Sequence, residues 1–236
     1  MGYSRKEEIA RLKQEHKEAK AYKKRKENVR EKLVRFLIVC EGTKTEPHYF
    51  EALIKNHIST VREVKIEGEG RATIALVDKT IEIKKELEHK NAMTFDRVWI
   101  VFDKDDFDDF NDFNEAINKA HTLGFQSAWT NEAFELWYYL HFEYLDTGIS
   151  RSDYIKKLEE AFRNRIGDAD FMYRKGNPDI YNLLQQYGRE DLAKRFAKKL
   201  RTLYTDTNYA IHKPCTMVDK LVDELEHPES LLGESC

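Results

Sequence analysis

Cysteine is scarce in this chain. Its 236 residues include three, Cys40, Cys215 and Cys236, far apart and odd in number. No Cys-x-x-Cys pair occurs, so neither a zinc knuckle nor a disulfide framework is indicated, and a reducing, intracellular setting is the expectation. Long apolar runs are absent as well. None approaches the roughly 18 residues that a membrane-spanning helix needs, and the first residues have no apolar segment like that of a secretory leader. The expectation is a soluble, cytoplasmic protein with no membrane partner. No Gly-x-x-x-x-Gly-Lys-Ser/Thr loop occurs either, so the chain is not itself an ATPase of that kind. There is no internal repeat and no Pro/Gly/Ser-rich linker, which argues against a string of independent domains.

What is present is charge, unevenly placed. Charged residues make up 35% of the chain, above the usual share of about a quarter. The net charge is only −3. Residues 1–35 carry 13 Lys/Arg against 6 Asp/Glu, a net of +7, and residues 36–236 carry 27 against 37, a net of −10. A basic front on an acidic body favours a polyanionic partner; a solvated charged helix is the plainer account. At this length the chain can bury a substantial core.

Residues 4–32 have almost no apolar residues at helical spacing and no internal Gly or Pro, so residues 1–33 read as a basic helical arm. RFLIVC (35–40) then reads as a buried strand ending in the turn EGT. Thr45 is placed to cap a helix with Pro47 in its first turn. Residues 61–70 alternate apolar and polar, a second strand; residues 72–90 show helical periodicity. Phe95–Phe102 forms a third strand, a helix follows over 111–122, and GFQSAW (124–129) forms a fourth strand. Strand and helix alternating in this way predict an α/β fold: a Rossmann-type parallel sheet of about four strands over residues 34–130, flanked by helices. Residues 131–236 carry helical periodicity only and are expected to pack on that core as a helical region.

In an open parallel sheet, functional residues collect beyond the carboxyl ends of the strands. The first strand delivers Glu41, and VWIVFDKDDF delivers Asp103 and Asp105. If those strands are neighbours, the three carboxylates converge and need a cation, and oxygen ligands without Cys or His select Mg²⁺ or Mn²⁺. An acidic loop that merely solvates a strand end is the plainer reading. Gly42 lets the chain leave the strand tightly and lets a phosphate approach the backbone. Asp106, Asp108, Asp109 and Asp112 read as solvation and helix-start charges. Lys44 reads equally as a phosphate ligand or a surface lysine. Glu132 lies at the same rim and is a candidate further metal ligand, beside Asn131 as a helix cap. Phe134, Trp137, Tyr138 and Leu140 read as core, and His48 and His141 as structural hydrogen-bonding groups. Arg174 and Lys175 form a basic turn between helices. Capping by Cys215 or Thr216 is the plain account of the last helix start.

The motifs IVCEGTKTEPHYFEALI, VWIVFDKDD and NEAFELWYYLHF together resemble the RloB-like family over roughly residues 34–225. Members of that family are found beside restriction and abortive-infection genes. The family is considered related to TOPRIM domains, in which a glutamate after the first strand and an Asp-x-Asp after the third hold Mg²⁺. The resemblance maps these roles onto Glu41, Asp103 and Asp105; the sequence departs from many TOPRIM domains in its Lys104-Asp105-Asp106 run. It implies a TOPRIM-like core, phosphodiester chemistry on DNA or RNA, Glu41 as ligand or general base, Lys175 as the late basic residue that meets the scissile phosphate in related nucleases, and an ATPase of the same operon as partner. The expected function is a Mg²⁺-dependent nuclease or nuclease-like effector of antiviral defence, in which a homo-oligomer is allowed for. Two alternatives stay open: a binding subunit with a relic acidic pocket, and a phosphatase using Asp103 as nucleophile and Asp105 as acid.

Overall fold

The computed structural model describes Lys13, Gln14, Lys17 and Lys20, then residues 34–57, 62–68, 73–104 and 110–232. The first four are helical and exposed; the rest of the basic arm lies outside the described residues, as do Asp105, Asp106, Asp108 and Asp109 of the acidic run. Residues 1–33 and 34–236 form separate compact units.

In the second unit, β1 (Val34–Cys40), β2 (Arg62–Gly68), β3 (Arg97–Lys104) and β4 (Gln126–Asn131) form one sheet in the order β2-β1-β3-β4. All three pairings are parallel. The central strands β1 and β3 are buried along almost their whole length, as expected of strands covered on both faces. Side-chain alternation sorts them between two cores. Phe36, Ile38, Cys40, Trp99 and Val101 join one, and Leu37, Val39, Val98, Ile100 and Phe102 the other.

The connections α1 (Thr45–Asn56), α2 (Thr73–Asn91) and α3 (Phe110–Thr122) link successive strands. Helices α2 and α3 supply the second core through Leu76, Val77, Ile83, Phe113 and Ile117. The first core lies under α1 and the helical half: α4 (Glu135–Leu140), α5 (Arg151–Ile166), α6 (Ile180–Tyr187), α7 (Glu190–Arg201) and α8 (Val218–Glu226). The four-stranded α/β architecture is the one expected, with strand ends shifted by about two residues at β3 and β4. Among the described residues no helix is long and apolar enough to cross a membrane. Cys40 and Cys215 are buried free thiols, each with its pKa pushed up by burial.

Some helix starts differ from expectation. Thr45 lies inside α1, which begins without a side-chain cap at Lys44. Asn131 ends β4 instead of capping a helix. Its amide donates to the Ala210 carbonyl (3.0 Å), and α4 starts four residues later, after Phe134. Its segment is buried throughout, so packing among Tyr49, Phe50, Phe134 and Tyr138 shapes it more than capping does. Before α8, the Thr216 hydroxyl accepts the Val218 N–H (3.3 Å).

Candidate functional site

The register of the central strands brings two of the expected acids together. Cys40 pairs with Val101, and the Glu41 N–H continues the ladder to the Val101 carbonyl (2.8 Å). Glu41 and Asp103 therefore leave adjacent strands side by side. Glu41 Oε2 accepts the Asp103 backbone N–H at 3.1 Å.

Asp103 is only 8% exposed. Its Oδ2 accepts the Phe134 N–H (3.0 Å) and faces the Arg151 guanidinium (3.4 Å), while Oδ1 is buried with no partner. Burial, foremost, raises its pKa well above the ordinary carboxylate range. The neighbouring charges of Glu46 and Glu135 add to the rise, and Arg151 opposes it.

Glu46, in the first turn of α1, is 5% exposed, and its Oε2 is likewise buried without a partner. Burial raises its pKa, and Lys175 is the cation that counters this most. Glu135, 1% exposed at the start of α4, accepts the Tyr173 hydroxyl on Oε1 (3.1 Å). Gly42 lets Glu46 sit where it does. A Cβ on Gly42 would lie 2.8 Å from Glu46 Cδ and closer still to Oε2.

The remaining expected residues divide. Lys175 is exposed beside this cluster, in the turn whose Gly176 packs on Lys44 and whose Gly176 carbonyl bonds His48 Nδ1 (3.0 Å). Both carboxylate oxygens of Glu132 are engaged, Oε1 by the Arg151 N–H (3.2 Å) and Oε2 by the Lys213 ammonium. Asp105 lies outside the described residues. His141 is a buried structural group: its Nδ1 bonds the Trp137 carbonyl (2.9 Å), and burial lowers its pKa to about 4. Phe134, Trp137, Tyr138 and Leu140 are core.

Glu46, Glu135, Arg151 and Tyr173 are the members of the cluster that sequence reasoning missed. Glu46 carried a faint signal, five residues after Glu41, but an acid in a first helical turn is accounted for by the helix dipole alone. Arg151 and Tyr173 carried none, because only tertiary packing brings them to the sheet.

A divalent cation suits this donor chemistry: every candidate ligand is a hard carboxylate oxygen, and two buried carboxylate oxygens have no donor facing them. Among the described residues, however, no three His, Cys, Asp or Glu side chains are gathered tightly enough to hold a metal.

A protein-family model described as RloB-like protein matches residues 36–225. No curated protein and no solved structure matches the chain.

Proposed function

The chain belongs to the RloB-like family, and on that footing we propose that it is a divalent-cation-dependent hydrolase of nucleic-acid phosphodiesters. The observation that carries the proposal is the Asp103 carboxylate. It is buried where two neighbouring parallel strands end, beside Glu41, with one oxygen unpartnered. A buried carboxylate in that state is costly unless a cation or a proton meets it. Glu41, Asp103 and Asp105 would hold Mg²⁺ or Mn²⁺. Bound there, the ion supplies Lewis-acid charge for phosphate oxygens and a water of lowered pKa.

The chain's own residues orient the rest. The Phe134 N–H donates to Asp103 Oδ2 and leaves Oδ1 without a hydrogen-bond partner. Lys175, exposed at the rim, offers a point charge to an arriving phosphate. Glu46 and Glu135 deepen the negative field behind Asp103, which favours a cation over a second anion at this spot. We place this activity in prokaryotic anti-phage defence, with an ATPase encoded alongside as partner. The setting of RloB-like genes beside restriction and abortive-infection genes supports that placement.

The test is a cleavage panel of plasmid, single-stranded DNA and tRNA in Mg²⁺ or Mn²⁺, with the partner ATPase present. Wild type is expected to cut at least one substrate, and Glu41→Gln and Asp103→Asn to lose roughly a hundredfold or more. Every nucleic acid surviving intact would instead indicate a binding subunit. Hydrolysis of small phosphate esters lost in Asp103→Asn but kept in Glu41→Gln would indicate an aspartyl-nucleophile phosphatase.

A further inference from the structure

The two edges of the sheet are treated differently. Residues 215–217 close the β4 edge. Thr216 bridges Thr130 in the antiparallel sense, the Asn131 N–H donates to the Cys215 carbonyl (2.9 Å), and the Met217 N–H donates to the Trp129 carbonyl (2.9 Å). At the other edge, among the described residues, β2 pairs with β1 alone. An open edge presents a row of backbone donors and acceptors to any further strand, and chains blunt it with proline, with a bulge or by keeping the strand very short. β2 has none of these. It runs seven residues, Arg62–Gly68, without proline and in unbroken register with Val34–Cys40.

The side chains of β2 carry a self-complementary pattern. Val64 and Ile66 pack on the core under α1, so alternation puts Lys65 and Glu67 on the opposite face. Lys65 is exposed and Glu67 half-buried, and among the described residues neither forms an ion pair. Consider a second β2 added antiparallel, across a twofold axis through Ile66. Lys65 of each copy then lies opposite Glu67 of the other, Ile66 opposite Ile66, and Val64 opposite Gly68. Opposite charges directly across an antiparallel pair are favourable, and like charges are not. A register centred on Lys65 would instead set two lysines together. A lysine alone guards an edge against a second strand. Glu67, two residues on, gives that lysine a matching charge on an identical chain.

We propose that the β2 edge is a homodimer interface, through which two copies of this chain join their four-stranded sheets into one, in the register centred on Ile66. The same surface serves both copies, so the contact closes on itself and makes a dimer, not a filament. An edge-strand contact is small, which makes this a weak, concentration-dependent dimer. The strands of the two copies run in opposite directions. The Glu41–Asp103 corners therefore open at opposite ends of the joined sheet, and neither copy completes the other's site. The interface stands independently of the hydrolase reading.

Sedimentation equilibrium of the full chain across a micromolar concentration series tests it. Wild type is expected to move from one chain mass to two as concentration rises. Lys65→Glu and Glu67→Lys each put like charges opposite at both pairs, and each alone should dimerise roughly tenfold more weakly or worse. Mixing the two single variants should restore association as a heterodimer, because every pair across that contact is again opposite in charge. The double variant Lys65→Glu/Glu67→Lys should restore it within one chain. Thermal melts establish that each variant is folded, and the wild-type series decides the matter even if one is not. A wild type that stays monomeric, or that grows beyond two chains, overturns the proposal. So does a dimer that both single variants leave undiminished, or a pair of single variants that stay apart when mixed.

Discussion

Gly42 has room for a side chain only if the Glu46 carboxylate gives way. A Cβ there would press on the carboxylate of Glu46, itself nearly fully buried. Gly42→Ala is therefore expected to cost about 1–3 kcal/mol, as other overpacked buried positions do. It should also weaken Mn²⁺ uptake, because Glu46 is pushed off the cluster that faces Asp103. Thermal melts and calorimetry read both effects, and the stability cost should vanish in a Glu46→Ala background, where the space is restored. An unchanged melting temperature in Gly42→Ala alone would refute the packing argument. Residues of this kind mark where a sequence stops being legible. Gly42 could be assigned to a tight exit from a strand, because that is local chemistry. That its missing side chain makes room for a buried acid could not, since nothing in the spacing of Glu41 and Glu46 says which way the second carboxylate turns.

At the scale of elements, helix ends meet through charge as well as apolar packing. Lys194 of α7 lies between Glu190 (3.2 Å), Asp223 (2.9 Å) and Glu226 (2.5 Å), and His57 after α1 reaches Glu226 at 3.3 Å. Gln185 of α6 donates to Glu190 (2.9 Å). Burial, then the charge of Glu226, raises the Glu190 pKa to about 7, while Lys194 holds that of Glu226 down despite burial. A raised folded-state pKa stabilises the fold below the unfolded value, near 4.5, and that contribution disappears as pH climbs through 7. Glu226 has the opposite sign, its contribution present above about 4.5 and lost on acidification. Glu190→Gln removes the first; it also takes a hydrogen bond from Glu226, whose contribution is lost only on acidification below about 4.5 and so outside the window from pH 5 to pH 8. Its stability relative to wild type should rise by about 1–2 kcal/mol between pH 5 and pH 8, read from urea midpoints; a difference that stays flat with pH would contradict this. The helices themselves were legible, because α5, α6, α7 and α8 carry their apolar residues at helical spacing. The start of α4 was not. Asn131 looked like a cap, but an unbroken buried aromatic segment follows it, and tertiary packing set the boundary.

The whole molecule poses an electrostatic problem that no single site resolves. Acids at the strand ends suit a cation, yet the nucleic acid proposed as substrate is a polyanion approaching a body whose residues 36–236 carry a net charge of −10. The strand order β2-β1-β3-β4 decides where the difficulty falls. Sequence could name Glu41 and Asp103 as strand-end acids, but their adjacency depended on β1 and β3 being neighbours, a fact of topology rather than of local pattern. Local cations such as Arg151 and Lys175 act only at contact range, because salt screens exposed charges beyond about 8–10 Å. Capture from farther off needs a larger basic surface, and residues 1–35, at net +7, are the part of the sequence that has one. Removing residues 1–33, with thermal melts as the folding control, tests that surface. Nucleic-acid affinity should fall steeply at low salt, and the log–log salt slope should drop by roughly 3 or more as phosphate contacts are lost. Anisotropy titrations across a salt series measure this directly. A truncated chain that keeps the full slope would mean that the acidic body gathers its polyanion unaided, through cations on its own helices.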